Sequence, residues 1–218
     1  MSKSKVVVFD LDDTLINEIE YLTSAYLEIA NFLNGGHELH TSMLKNFIDK
    51  KNVFTILIDK YKHINLTELL NIYRSHFPEN LSVREGVAEL MGYLKDESIA
   101  IGLISDVRSL TQRNKLAATG LLSYFDLIVI SEEFGSEKPD PANYVLFMDT
   151  YKAEEYYYIG DNFNKDFYAP NILGWTTIGV LNSGNNIHSQ NHNQSSDYLP
   201  KFLVDNLLEV KSIIAYQL

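Results

Sequence analysis

The segment VVVFDLDDT, from Val6 to Thr14, constrains the fold more than any other part of this chain. Val6, Val7, Val8 and Phe9 form an unbroken β-branched and aromatic run. Such a run predicts a strand buried on both faces, the kind found in the middle of a parallel sheet. It ends abruptly in Asp10, Asp12 and Asp13, followed by the hydroxyl of Thr14. In open α/β sheets ligands bind outside the carboxyl ends of the strands, which is where this charge falls. Clustered carboxylates repel one another, and a stable arrangement there wants a cation. Standing alone, the segment has a lesser alternative, a solvated, Asp-rich turn.

Three later segments narrow the choice. IGLISD ends a second buried strand at Ser105, SEEFGSEKPDP carries Lys138, and YYYIGDNFNKD sets Asp161 and Asp166 after another strand. Short strands ending in Ser or Asp are common, so any one of these is weak. Taken with Asp10-x-Asp12-x-Thr14 and in this order, they resemble the motif set of the haloacid dehalogenase superfamily, whose members are mostly phosphohydrolases. The resemblance runs from about Val6 to about Val180. It implies an α/β fold: a Rossmann-like three-layer core with a central parallel sheet, and an inserted α-helical cap.

The pattern along the chain agrees. Between Glu18 and about Phe77 no convincing strand occurs. YLTSAYLEIANFL has apolar residues at helical spacing and stops at Asn34-Gly35-Gly36; SMLKNFIDKKNVFTILIDKY and LTELLNIYRSHF continue the helical pattern until Pro78. We expect a cap domain over residues 18–82 and a core over 1–17 and 83–218. From Val83 helix and strand alternate regularly, with Gly120 as a C-cap, which argues for a parallel sheet with right-handed crossovers. LNSGNNIHSQNHNQSSDY has almost nothing to bury and reads as a mobile surface loop before a terminal helix FLVDNLLEVKSIIAYQL. His188 and His192 stand four apart within it, a metal-binding spacing on a helix, but without apolar periodicity a solvated loop is the stronger reading.

Composition sets limits. The 218 residues suffice for one domain with an insertion, and Cys is absent, which excludes disulfides, thiolate metal sites and a Cys nucleophile. Met1 and SKSK leave no room for a signal-peptide apolar region before the first strand, and no apolar run approaches the roughly 20 residues that span a bilayer. The expectation is a cytoplasmic protein with no membrane partner. A formal charge of -11 argues against nucleic-acid binding, which needs a basic face. It leaves a small phosphorylated metabolite open, because a metal and a few local cations can reverse the sign of one pocket. Nothing in the sequence indicates an oligomeric state.

Hydrolysing a phosphate monoester requires an in-line nucleophile, a proton for the departing oxygen and neutralisation of the transferred phosphoryl. The resemblance implies Asp10 as the nucleophile, forming an aspartyl-phosphate, and Asp12 as the acid that protonates the leaving oxygen and then activates water. It implies Mg²⁺ held by Asp10, the backbone carbonyl of Asp12 and Asp161, an oxygen-only set suited to that ion. Ser105 and Lys138 would hold the phosphate, with a hydroxyl beside helix N-terminal amides and a full positive charge. Asp106 could donate its backbone N–H to the phosphate, although its carboxylate would repel it unless it points away or pairs with Arg108. Asp166 would contact metal-bound water or orient Lys138, and Thr14 would brace the loop. Asp13 and Asn162 match nothing essential. A dehalogenase needs no acid, so Asp12 counts against that reading. A phosphosugar phosphotransferase or mutase, and a non-catalytic binding protein on the same scaffold, remain as alternatives.

Overall fold

The computed structural model describes residues 4–216. Six parallel strands form one sheet: β1 (Lys5–Phe9), β2 (Ala100–Ser105), β3 (Leu127–Ile130), β4 (Glu155–Gly160), β5 (Thr176–Val180) and β6 (Phe202–Val204), in the order β3-β2-β1-β4-β5-β6. The strand predicted from Val6–Phe9 is central, with Phe9 level with Leu103 on one side and Ile159 on the other. Strand side chains alternate between faces, and here both faces are apolar. Val7 and Phe9 pack with Val87, Leu90, Val210 and Ile214; Val6 and Val8 pack with Tyr144, Phe147, Phe167 and Trp175. Those residues come from α5 (Val87–Asp96) and α10 (Leu208–Tyr216) below and from α8 (Ala142–Tyr151) and the segment around α9 (Tyr168–Ile172) above. The result is the expected three-layer α/β architecture.

After β1 the chain runs to β2 and β3 on one side, then returns to β4 on the other. That reversal beside β1 is the topological switch point, where the C-terminal strand ends leave a crevice. The remaining core helices are α6 (Ser109–Ala118) and the short α7 (Ser131–Phe134).

The block after β1 is wholly helical: α1 (Glu18–Phe32), α2 (Gly36–Ile48), α3 (Val53–Lys60) and α4 (Leu66–Ser75). It has its own apolar cluster, including Leu22, Ile29, Met43, Leu57 and Leu69, separate from both sheet faces. Asn52 caps α3, and Asn65 with Glu68 forms a capping box on α4, so local sequence fixes where these helices begin. The chain leaves and re-enters the core through two linkers that lie side by side. Ile16 bridges Val83 in antiparallel fashion, and Arg84 N–H donates to the Leu15 carbonyl at 2.8 Å.

Two expectations need correction. The terminal segment is not one helix: Phe202–Val204 is an edge strand, and the helix starts at Leu208. Gly36 does not stop α1 but already opens α2; α1 ends at Phe32.

Candidate active site

Asp10 follows the last residue of β1, and its N–H donates to the Ile159 carbonyl of β4 at 2.9 Å. Ser105 ends β2, Asp161 follows β4, and Lys138 arrives from the loop after α7. The register of the sheet brings these ends level, which is how residues far apart in sequence come to share one crevice. The Lys138 ammonium is fully buried and donates to Asp10 Oδ1 at 2.5 Å and to Asp166 Oδ1 at 2.8 Å. Tyr158 Oη lies 3.2 Å from it. Burial opposes a charge on Lys138, but Asp10, Asp166 and Asp106 hold its pKa well above the ordinary value.

Asp166 has no oxygen to spare. Its Oδ2 accepts from the N–H groups of Asp161 and Asn162 at 3.1 and 2.8 Å, while Oδ1 faces Lys138. It therefore fixes both the Lys138 ammonium and the turn that carries Asp161. Thr14 Oγ1 is 3.5 Å from Asp10 Oδ2, so the hydroxyl reaches the Asp10 carboxylate.

Carboxylate oxygens of Asp10, Asp161 and Asp166 lie within 4.8 Å of one another. Burial, opposed by Lys138, pushes the Asp10 carboxyl up to about 7; burial, reinforced by the charges of Asp166, Asp10 and Asp13, pushes Asp161 up to about 9. Protein groups alone leave negative charge here under-compensated. A buried Asn186 Oδ1 beside Asp161 also has no hydrogen-bond partner. An all-oxygen donor set with excess negative charge fits a hard divalent cation such as Mg²⁺.

Asp12 is not free in the crevice. Lys115 Nζ donates to its Oδ1 at 2.6 Å, and Gln112 Nε2 donates to its Oδ2 at 2.8 Å. Asp106 does not pair with Arg108. Arg108 binds Glu132, while Asp106 Oδ2 accepts from Lys165 at 2.6 Å and its Oδ1 from the Lys138 N–H at 3.1 Å. Burial raises Asp106, but Lys138 and Lys165 outweigh it and keep the carboxyl below its usual range. The repulsion expected from this carboxylate is thus offset by a lysine that sequence reading overlooked, although Lys165 immediately precedes Asp166.

Several other residues at the site carried no motif signal. Asp13, left out of the sequence reading, accepts from the Glu18 N–H at 2.9 Å and from the Ile187 N–H at 2.7 Å. Glu18 opens the first helix of the inserted block and lines a small pocket of about 90 Å³ together with Asp10, Asp12, Ser105 and Asp161. Burial and the charge of Asp12 push its carboxyl up to about 8. A larger cleft of about 720 Å³ adjoins it between the helical block and the core, walled by Tyr26, Phe54 and Tyr73 and floored by Thr111 and Lys115.

The Asn- and Ser-rich segment is not merely a solvated loop. Asn186 Nδ2 donates to Asp161 Oδ2 at 2.8 Å, and Gln190 Nε2 donates to the Asp161 carbonyl at 2.9 Å. His188 and His192 are not on a helix. His188 lines the same pocket as Asp10 and Asp161, whereas the His192 ring packs against Phe163 with centroids 4.9 Å apart.

Among known proteins, the family model described as haloacid dehalogenase-like hydrolase matches residues 7–180. The chain is 28% identical over 193 residues to a glyceraldehyde 3-phosphate phosphatase of Methanocaldococcus jannaschii, covering 81% of this chain and 85% of that one. It is 25% identical over 226 residues to the pyrophosphatase PpaX of Bacillus anthracis, covering 98% and 97%. Solved structures with the same fold include a HAD phosphatase from Thermococcus onnurineus (TM-score 0.64, 22% identity, 96% and 97% covered). The L-2-haloacid dehalogenase RSc1362 is also similar (TM-score 0.64, 16% identity, 98% and 100% covered). At that identity the likeness concerns fold alone, and it does not separate phosphatase from dehalogenase.

Proposed function

Since the chain belongs to the haloacid dehalogenase-like hydrolases, we propose that it is a Mg²⁺-dependent phosphomonoesterase that acts on a small phosphorylated metabolite through an aspartyl-phosphate. One observation carries the reading: Asp10, at the switch point of the sheet, shares a buried ammonium with Asp166 and a carboxylate cluster with Asp161. The curated relatives named for phosphorylated substrates support it.

In the first step an Asp10 oxygen forms a bond to phosphorus as the bond to the leaving oxygen breaks. Asp12 supplies the proton that the leaving oxygen takes. Water then attacks the aspartyl-phosphate, Asp12 recovers a proton, and Asp10 returns as a carboxylate with release of phosphate. Asp10, Asp161 and the Asp12 carbonyl are the groups to hold the cation, which when bound supplies charge neutralisation for the phosphoryl oxygens. Ser105, buried at the end of β2, and Lys138 provide a donor and a positive charge for those oxygens. Substrates in reach are sugar phosphates and nucleoside monophosphates, whose non-phosphate part fits the adjoining cleft. The helical block covers that cleft, so folded phosphoproteins should be poor substrates.

The test is phosphate release over a metabolite panel with Mg²⁺ and with EDTA, in wild type and Asp10→Asn. We expect turnover only with Mg²⁺ and a loss of about three orders of magnitude or more in the variant. Activity that survives chelation or the substitution would overturn the reading. Transfer of phosphate between sugar positions without net release would favour the mutase instead.

A further inference from the structure

Helix α6 places two polar side chains three residues apart, and therefore on one face, against the catalytic crevice. Both are buried: Gln112 is 0% exposed and Lys115 is 2% exposed. Neither belongs to the motif set that marks the family. A buried ammonium and a buried amide need compensation, and here the compensation is the acid–base carboxylate itself.

Lys115 Nζ donates to Asp12 Oδ1 at 2.6 Å. The same ammonium sits over the Tyr21 ring, 4.5 Å from its centroid. Tyr21 belongs to α1, and its hydroxyl donates to the Tyr73 carbonyl of α4 at 2.6 Å. The charge that holds Asp12 is thus covered by an aromatic face from the helical block, while the Asp12 side chain itself keeps 19% exposure toward the crevice. Gln112 makes a double contact: its Nε2 donates to Asp12 Oδ2 at 2.8 Å and to Ser105 Oγ at 2.6 Å. A serine oxygen that accepts from the amide has its own O–H directed elsewhere, free to donate to a phosphoryl oxygen. One amide therefore orients the proposed phosphate donor and the proposed proton carrier together. The Gln112 Oε1 atom is buried without a partner, so the amide is held by its NH₂ group.

We propose that Gln112 and Lys115 are positioning residues for this reaction. In this role they clamp both oxygens of Asp12 at the leaving-group side of the crevice and, through Ser105, tie its position to that of the bound phosphoryl. The inference rests on the phosphomonoesterase reading. Its consequence is specific, because Asp12 matters most when the leaving oxygen needs a proton. Misplacing it should slow departure of an alkoxide far more than departure of a phenolate.

The experiment measures leaving-alcohol release in single-turnover reactions with an alkyl phosphate and with an aryl phosphate, at saturating Mg²⁺. Wild type, Lys115→Met, Lys115→Arg, Gln112→Leu and Asp10→Asn are compared, with each variant's folding checked by circular dichroism. For Lys115→Met we expect a loss of about tenfold or more on the alkyl substrate and at most about threefold on the aryl one. Lys115→Arg, which keeps the charge, should recover much of the alkyl rate. Gln112→Leu should show the same split and, because Ser105 is released too, a KM raised about threefold or more. Equal losses on both substrates, or no recovery with arginine, would overturn the clamp while leaving the phosphatase reading intact. An unchanged KM in Gln112→Leu would overturn the coupling through Ser105. If wild type shows no release that depends on Asp10, the phosphatase reading falls and the inference falls with it.

Discussion

Asp13 has a backbone φ of 56°, a left-handed conformation that costs a non-glycine residue roughly 1–2 kcal/mol. The residue is tolerated because its side chain and backbone are fully used. One carboxylate oxygen caps α1 at the Glu18 N–H, the other accepts from the Ile187 N–H, and its carbonyl accepts from Arg84. These partners are the first residue of α1, the loop after β5 and the return linker. Asp13→Gly relieves the backbone cost but removes two hydrogen bonds to a charged group, each worth about 1.5–3 kcal/mol. We expect a net destabilisation of about 2–4 kcal/mol in urea unfolding, and a variant as stable as wild type would refute the clasp. Sequence reading passed over Asp13 because two of its three contacts, with Arg84 and Ile187, are made far along the chain. Asp10, Ser105, Lys138 and Asp161 were legible for the opposite reason: each stands just past a hydrophobic strand or in a short motif of fixed order.

At the scale of single elements, the end of β4 shows how tightly the strand exits are built. A Cβ placed on Gly160 would lie 2.5 Å from Asp166 Oδ2 and 2.9 Å from its Cγ. Asp166 holds Lys138 and the two N–H groups of the following turn, so it has no direction in which to yield without breaking one of them. Gly160→Ala should therefore displace Lys138 from Asp10 and reduce turnover by about tenfold or more, with a smaller effect on unfolding. Full activity in that variant would show that the Asp166 contact does not set the lysine. The loop after β5 carries a different lesson. Its Asn, Gln and Ser content reads as solvated because nothing in it has apolar periodicity, yet amide side chains and one backbone N–H dock it on Asp161 and Asp13. Polar docking of this kind leaves no trace in a hydrophobic pattern. The short strand Phe202–Val204 was missed for a related reason, since three edge residues beside a long helical pattern look like the first turn of that helix.

Across the whole molecule, the charge of -11 and the buried acidic crevice act in the same direction. No helix among the described residues is long and apolar enough to cross a membrane. Both faces of the sheet and the helical block each carry their own buried apolar cluster. Against these, the metal-free protein carries an Asp10 carboxyl raised to about 7, a Glu18 carboxyl raised to about 8 and an Asp161 carboxyl raised to about 9. In the unfolded chain these groups titrate near about 4. Between that range and about 9 the folded, metal-free state binds more protons than the unfolded state, so its stability falls as pH rises through the window. A cation bound by Asp10 and Asp161 reverses the preference, because it interacts with the ionised carboxylates and binds the folded state alone. The melting temperature in EDTA should therefore decline from about pH 5.5 to about pH 9, beyond any decline shown by an Asp161→Asn variant. The increment in melting temperature given by millimolar MgCl₂ should grow over the same range in wild type and vanish in that variant. Thermal melts at four or five pH values, each with EDTA and with MgCl₂, measure both trends. A metal-free melting temperature that rises with pH, or a Mg²⁺ increment that is the same at both ends, would mean that the buried carboxylates are not held in the protonated state that their burial demands.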